Sequence, residues 1–267
     1  MWKILRARAR QGGRTLPFPD GEALLPDRFR GAPALDATRC RDACRACVEA
    51  CPTAALSVDG AGPALDLGRC LFCAECVTSC PAGAIRFTGD HRMATRQRDH
   101  LRVRERAIPL AGALDERVRR IFGRSLRLRQ VSAGGCNGCE SDVNVLSTIV
   151  FDLSRFGIQF VASPRHADGI LVTGPVTCNM RLALEKTWAA VPEPRFVIAV
   201  GACAISGGPY VDHRQVLNGA GSVVPVDLYV PGCPPHPLTI LDGLLRLLGR
   251  IHGPGTRGSP AAAAAIP

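Results

Sequence analysis

Apolar positions change their spacing part-way along this chain. From residue 126 onward, LRLRQV, IQFV, GILVTG, RFVIAVG and VDLYV are short runs enriched in β-branched or other apolar residues. Between most of them lie stretches with helical character, at 140–155, 179–190 and 238–249. Strands alternating with helices predict a parallel, doubly wound α/β sheet. Before residue 126 this pattern is missing. Met1 to Arg10 reads either as a short helix, with Trp2, Ile4 and Leu5 apolar and Arg6, Arg8 and Arg10 basic, or as a frayed basic terminus. Residues 11–39 are rich in Pro and Gly and read as an extended arm. Residues 90–125 are strongly basic with weak apolar periodicity. They predict a linker carrying one or two exposed helices, such as 113–122, where Leu114, Val118, Ile121 and Phe122 share a face. The final stretch, GPGTRGSPAAAAAIP, is low in complexity and reads as disordered.

Residues 40–89 contain an internal repeat of about 30 residues. Its halves begin CRDACRACVEACP at Cys40 and CLFCAECVTSCP at Cys70. Each is followed by a small-residue turn and a β-prone run, AALSV and GAIRF. Cys70, Cys73, Cys76 and Cys80 fit the C-x2-C-x2-C-x3-C-P run of bacterial ferredoxins. Three closely spaced thiolates on one loop reach three corners of an iron–sulfur cube, and the fourth, followed by proline, serves the other cube. The spacing therefore predicts Cys70, Cys73, Cys76 and Cys51 on one cluster, and Cys40, Cys44, Cys47 and Cys80 on the other. A zinc ribbon is the alternative, but zinc sites pair two cysteines with two distant ones. The first run is one residue longer than usual between Cys40 and Cys44. That C-x3-C-x2-C spacing also occurs in radical enzymes built on (β/α) barrels, for which this chain lacks the strands.

Five cysteines remain. Cys136 follows the first predicted strand of the α/β region, Cys203 the fourth and Cys233 the fifth. Loops at the carboxyl ends of parallel strands gather on one edge of the sheet, so these chain-distant thiols converge for a topological reason. Cys139 stands beside Cys136 in GGCNGCESD. Gly135, Gly138, Gly201 and Gly232 flank the set and let the backbone approach a bulky group closely. Cys178 lies past the third strand on the same edge. It is read as a ligand displacing one of the four, as a neighbour of the site, or as inert. Glu140 and Asp142 read either as proton relays or as acidic residues favouring the start of the next helix. His236 reads either as a proton-coupling group or as a solvated loop residue touching a partner.

Charge and cysteine content narrow the class. Residues 1–130 hold 24 Lys/Arg against 14 Asp/Glu and carry the whole +10, while 131–267 hold nine of each. Such a basic surface suits acidic lipid or an acidic partner. Nucleic acid fits less well, because aromatics are scarce and no binding module stands out. Thirteen cysteines without signal-peptide features in MWKILRARARQGG point to metal rather than disulfides, and to the cytosol. No apolar run is long enough to span a membrane. No Ser/His/Asp triad, phosphate loop or GxGxxG appears, so the chain is expected to have no active site of its own.

The motifs carry a family resemblance. The two cysteine runs with the lead-in PDRFRGAPALD resemble the two-cluster ferredoxin subunit of complex I and of membrane-bound hydrogenases, over roughly residues 1–90. GGCNGCESD, VTGPVTCNM, AVGACAISGGPY and VPGCPPHPLTILDGLLRL resemble, over about 126–250, the small subunit of membrane-bound, complex-I-related nickel–iron hydrogenases of the formate-hydrogenlyase and energy-converting type. The 20 kDa-type subunit of complex I shares that fold. The resemblance implies a flavodoxin-like doubly wound sheet preceded by an α+β two-cluster ferredoxin-like domain. It implies that Cys136, Cys139, Cys203 and Cys233 hold one 4Fe–4S cluster next to the active site of a large partner chain, making three 4Fe–4S clusters in all. Relatives usually have no cysteine at the position of Cys178. Hydrogenases space the first two cysteines C-x-x-C, as here, whereas quinone-reducing complex I places them adjacent.

The expected organisation is a basic arm (1–35), a two-cluster domain (36–90), an Arg-rich linker (91–125), a small-subunit-like domain (126–252) and a tail (253–267). The expected role is electron relay between a further electron-transfer protein and a nickel–iron large subunit, on the cytoplasmic face of the membrane with membrane subunits or the membrane surface as partners. The alternatives are a quinone-linked relative of complex I, a hydrogenase-like complex without nickel, and a zinc-dependent nucleic-acid binder.

Overall fold

The computed structural model describes all residues except 1, 22, 24, 41–43, 105–107, 117–124 and 252–267. Most of the helix expected at 113–122, and all of the tail at 253–267, lie outside the described residues. Helix α1 (Trp2–Gln11) forms at the N-terminus and buries none of its residues. The cysteine-rich region follows as an α+β unit. Strand β1 (Pro33–Leu35) pairs antiparallel with β4 (Ile85–Phe87), so the repeat is closed at its two ends. Between them β2 (Leu56–Asp59) and β3 (Gly62–Asp66) form a hairpin, extended on the β3 side by β5 (Arg102–Val103). The Asp59 carboxylate caps the hairpin turn by accepting the Ala61 amide at 3.0 Å. Helices α2 (Ala46–Glu49) and α3 (Glu75–Thr78), one turn each, occupy equivalent places in the two halves.

The second unit is a five-stranded parallel sheet. Its strands are β6 (Leu126–Ser132), β7 (Ile158–Phe160), β8 (Gly169–Thr173), β9 (Phe196–Val200) and β10 (Leu228–Val230). Their order across the sheet is β7–β6–β8–β9–β10, every pair parallel. This is the flavodoxin-like order, with its switch point between β6 and β8. All five positions of β8 and of β9 are buried, which is why both read as unbroken apolar runs. Successive residues serve opposite faces: Ile170, Val172, Val197 and Ala199 enter one core, Leu171, Ile198 and Val200 the other. The helices are α4 (Gly138–Val145), α5 (Cys178–Ala190), α6 (Ala202–Ser206) and α7 (Pro237–Leu247). Every residue of α7 is buried, including the Asp242–Arg246 ion pair one turn apart at 2.7 Å. Among the described residues no helix is long and apolar enough to cross a membrane.

The two units share their cores. Leu65, Leu67, Phe72 and Val103 of the first pack with Val131, Ile170 and Val172 of the sheet. The other sheet face, under α7, is covered by Phe18 and Ala23 from the arm and Ala94, Ala111 and Leu114 from the expected linker. Those segments therefore pack rather than merely connect. Ala94 meets α7 so closely that a Cβ on Gly243 would stand 2.7 Å from it. Thr95 exchanges backbone hydrogen bonds with Tyr229 of β10 at 3.0 and 2.8 Å. The helix expected at 140–155 stops at Val145. Beyond it the Ile149 and Val150 carbonyls accept hydrogen bonds from the Thr15 hydroxyl and the Leu16 amide of the arm, so they are not available to a continuing helix.

His91 marks how deeply the expected linker is embedded. It is 0% exposed, stands edge-on to Phe18 at 5.7 Å, and neither ring nitrogen has a hydrogen-bond partner among the described residues. Burial, reinforced by Arg92, His236 and Arg246 and opposed by Asp90, pushes its pKa down to about 4. The unfolded chain then binds the extra proton first as the solution is acidified. Stability is fully present above the ordinary histidine pKa of about 6.5 and is lost as pH falls from there towards 4, by about 3 kcal/mol for this group. Denaturant unfolding at pH 7 and pH 4.5 is expected to show His91→Phe losing less stability on acidification than the parent by about that amount. An equal loss in both proteins would contradict the assignment.

Candidate metal centres

The repeat builds two sulfur-lined cavities. Cys40 ends a short 3-10 turn (Ala37–Arg39) whose start is capped by the Asp36 carboxylate, which accepts from the Thr38 amide at 3.0 Å. Cys47 lies in α2 and Cys76 in α3. One cavity is lined by Cys40, Cys44 and Cys47 from the first run and Cys80 from the second. The other is lined by Cys70, Cys73 and Cys76 from the second run and Cys51 from the first. Each run thus sends its last cysteine across to its neighbour. Apolar residues close the walls: Pro63, Ala84 and Ile85 in the first cavity, Leu56, Leu65 and Phe87 in the second.

Backbone amides are aimed at these sulfurs. The Ala55 amide donates to Cys51 Sγ at 3.2 Å, and the Ala84 amide donates to Cys80 Sγ at 3.3 Å. In both halves the donor comes four residues after the crossing cysteine, so the repeat extends to the sulfur's electrostatic surroundings. The Phe72 amide donates to Cys70 Sγ at 3.3 Å. Such donors favour a thiolate over a thiol. Burial acts the other way and is the largest cause lifting Cys70 and Cys76 to about 12, with neighbouring thiols adding to it. Cys47 is raised by the same causes. Thiols so placed give up their protons only to a cation that takes their place.

A third group of sulfurs gathers on the carboxyl edge of the parallel sheet. Cys136 stands in the loop after β6, Cys139 in the first turn of α4, Cys203 in α6 after β9, and Cys233 after β10. Asn137, in the left-handed region at φ 70°, starts α4 and separates the first two. Burial first, then Cys203, Glu140, Cys233 and Cys136, raises the Cys139 thiol. Cys203 is pushed up to about 12 by burial, then by Cys233, Cys136 and Glu140. The four sulfurs therefore lie within electrostatic reach of one another. Glycine makes the closest approaches possible. A Cβ on Gly201, itself at φ 91°, would lie 2.4 Å from Cys139 Sγ, and one on Gly208, at φ 56°, would lie 2.8 Å from Cys203 Sγ.

The remaining sequence candidates take different places. Cys178 is exposed as the first residue of α5, and its thiol and amide donate to the Arg214 and Gln215 carbonyls. Glu140 is buried. Its Oε1 accepts from the Ser132 hydroxyl at 2.6 Å and the Thr173 hydroxyl at 2.7 Å. It thereby ties the ends of β6 and β8 at the switch point instead of facing solvent. Asp142 lines a cavity with Cys233 and His236, and burial raises its carboxyl above the usual range. His236 is not a solvated loop residue. It caps α7, its Nδ1 accepting from the Leu238 amide at 3.2 Å, with Phe29 and Phe151 edge-on to its ring. Burial pushes it down to about 4. The proline at the first helical position, Pro237, is the sequence signal that marks this cap.

The three groups are juxtaposed. Cys76 and Cys47 are within electrostatic reach across the repeat, and Cys233 is within reach of Cys73. The Ser206 hydroxyl at the end of α6 donates to the Gly68 carbonyl, two residues before Cys70, at 2.7 Å. Among the described residues no trio of Cys, His, Asp or Glu closes around a point as a single ion requires. Thiolates around one zinc stand about 3.8 Å apart, from Zn–S bonds of about 2.3 Å. All-sulfur sets of four with amide donors aimed at them suit a multi-iron group. Gly201→Ala is expected to displace the Cys139 sulfur and to lower iron per reconstituted chain, while the cavities of the repeat stay loaded. Iron content equal to the parent's would show that the close approach at Gly201 does not matter.

Residues 136–247 match the family model described as NADH ubiquinone oxidoreductase, 20 Kd subunit. Residues 39–84 match a 4Fe-4S dicluster domain. Formate hydrogenlyase subunit 7 of Escherichia coli K12 is 46% identical over 138 residues, covering 49% of this chain and 54% of that protein. An NADH-quinone oxidoreductase subunit of Heliobacterium modesticaldum is 41% identical over 127 residues, covering 47% of this chain and 73% of that protein. A probable membrane-bound hydrogenase subunit of Pyrococcus furiosus is 38% identical over 141 residues, covering 52% of this chain and 84% of that protein. This chain thus spans about half of the formate hydrogenlyase subunit and most of the other two. A parallel sheet whose carboxyl edge gathers Cys136, Cys139, Cys203 and Cys233, inside a match at 136–247 shared with relatives covered over most of their length, makes the chain a member of the NADH ubiquinone oxidoreductase 20 Kd subunit family.

Proposed function

We propose that this chain is the iron–sulfur electron-transfer subunit of a membrane-associated nickel–iron hydrogenase complex, joining in one chain two subunits that are normally separate. The observation that carries the reading is the placement of three cysteine quartets in series. Cys40, Cys44, Cys47 and Cys80 would hold the outer 4Fe–4S cluster. Cys51, Cys70, Cys73 and Cys76 would hold the middle one, and Cys136, Cys139, Cys203 and Cys233 the inner one. Bound there, four-iron clusters supply reversible one-electron storage, so the chain relays electrons between a redox partner and the catalytic site of a large subunit. The thiolates and the amides of Ala55, Phe72 and Ala84 set the charge around each cluster. The sheet edge and the shared core fix the spacing between quartets.

Two features favour hydrogen over quinone chemistry. Cys136 and Cys139 are separated by two residues, the spacing that the resemblance associates with hydrogenases. Relatives named for formate hydrogenlyase and for a membrane-bound hydrogenase match this chain. NADH-quinone oxidoreductase subunits match it too, which keeps a complex-I-like quinone oxidoreductase, or a relative lacking nickel, as the second reading. The cysteine pairs that hold nickel would have to stand in the large subunit, so its sequence separates the two readings. Helix α1 supports a peripheral seat on the cytoplasmic face of the membrane. It exposes Trp2, Ile4 and Leu5 beside Lys3, Arg6, Arg8 and Arg10.

Cys233→Ser is expected to remove the inner cluster and abolish hydrogenase activity of the assembled complex, while leaving the outer and middle clusters. Iron content, electron paramagnetic resonance (EPR) and H2 evolution report the result. Unchanged iron and activity would overturn the assignment.

A further inference from the structure

The PDRFRG segment stands between two cysteine quartets and supplies a ligand to neither. Its backbone is locked to the end of the repeat. The Gly31 amide donates to the Thr88 carbonyl at 2.7 Å and the Ala32 amide to the Asp90 carbonyl at 2.7 Å. A Cβ on Gly31 would lie 2.2 Å from the Asp90 carbonyl oxygen, so only glycine passes there. Two consecutive side chains then reach in different directions. The Phe29 ring meets His236 edge-on at 5.3 Å, three residues from Cys233 of the inner quartet. The Arg30 guanidinium donates to the Phe72 carbonyl at 3.0 Å, inside the Cys70–Cys73 turn of the middle quartet.

That turn needs holding. Phe72 has φ 54° and Ala74 φ 69°, both left-handed conformations that side chains with a Cβ adopt at a cost. The Phe72 amide donates to Cys70 Sγ, and its ring packs on Phe87 with centroids 5.6 Å apart. Phe29, Arg30, Phe72, Cys233 and His236 line one cavity of about 220 Å³ between the quartets. A guanidinium bonded to the peptide that leads into Cys73 brings a permanent positive charge next to the middle quartet. Positive charge there favours the reduced state of whatever that quartet holds.

We propose that Arg30 is a positioning residue for electron transfer between the middle and inner quartets, fixing the Cys70–Cys73 turn and raising the reduction potential of the group it carries. This rests on the electron-relay reading above. The test uses the full chain, reconstituted anaerobically and titrated by EPR, with the middle signal assigned through Cys73→Ser. Arg30→Met is expected to lower the reduced-to-oxidised ratio of the middle cluster about tenfold at a fixed poise, equivalent to about 59 mV for a one-electron couple. The outer and inner signals should hold. Arg30→Lys, which keeps the charge, should recover most of the shift.

Loss of the middle cluster in Arg30→Met but not in Arg30→Lys supports the proposal as well. A full complement of iron with an unmoved midpoint in Arg30→Met overturns it and leaves the relay reading standing. Equal loss of the middle cluster in both variants also overturns it, because the charge then has no part. A parent protein that binds no cluster at the middle quartet takes down both readings.

Discussion

Thiolates packed together away from water repel one another and lose hydration, so they persist only around a cation that balances them. That constraint organises this molecule. Cys70, Cys76 and Cys203 lie in surroundings that lift a lone thiol to about 12. The same surroundings aim amides at three of the sulfurs and clear space with glycine around two more. A metal group answers both the charge and the space. The fold is accordingly a means of bringing sulfurs from distant points of the chain to common centres. It does this in two unrelated ways, by crossing over within a repeat and by gathering loops at the edge of a parallel sheet.

Serial arrangement depends on how the two units join. They do not hang from a tether. Leu65, Leu67 and Phe72 share a core with Val131 and Ile170 of the sheet, and Ser206 bonds to Gly68 across the join. The arm crosses to the opposite side, where Arg155 donates to the Leu16 and Phe18 carbonyls at 2.8 Å each. A packed join with hydrogen bonds on both sides holds the quartets at fixed separation, which suits a relay better than a hinge would. The cost of the packing is visible inside it. His91 is buried without a hydrogen bond among the described residues, and Asp242 with Arg246 forms a buried pair.

Much of this was legible in the sequence, for identifiable reasons. Each of the five strands of the sheet lies where a short apolar or alternating run marks it, and β8 and β9 read as unbroken apolar runs because they are buried on both faces. The alternating strand–helix pattern gave the doubly wound class, and the Cys-Pro ending of each run gave the crossing between halves. What stayed hidden depends on distant contacts. Phe18 and Ala23 of the arm and Ala94, Ala111 and Leu114 of the expected linker join the core under α7 at scattered positions, while Met93, Leu101 and Val103 join the core of the cysteine-rich unit, so no repeating apolar face marks these segments. The helix predicted to reach 155 gives way beyond Val145 to tight turns, after which the Ile149 and Val150 carbonyls bond to the arm. Glu140 turns inward because Ser132 and Thr173 end adjacent strands there, a pairing that only the sheet order reveals.

The proposed relay rests on three cysteine quartets holding three clusters in one chain. The most direct test is the iron and acid-labile sulfide content of the full-length chain reconstituted without oxygen, read together with EPR of the reduced protein. Three loaded quartets give four irons and four sulfides each, and three signals that broaden one another through magnetic interaction. A colourless protein holding zinc, or a stoichiometry that stops at the two quartets of the repeat, would contradict the proposed relay.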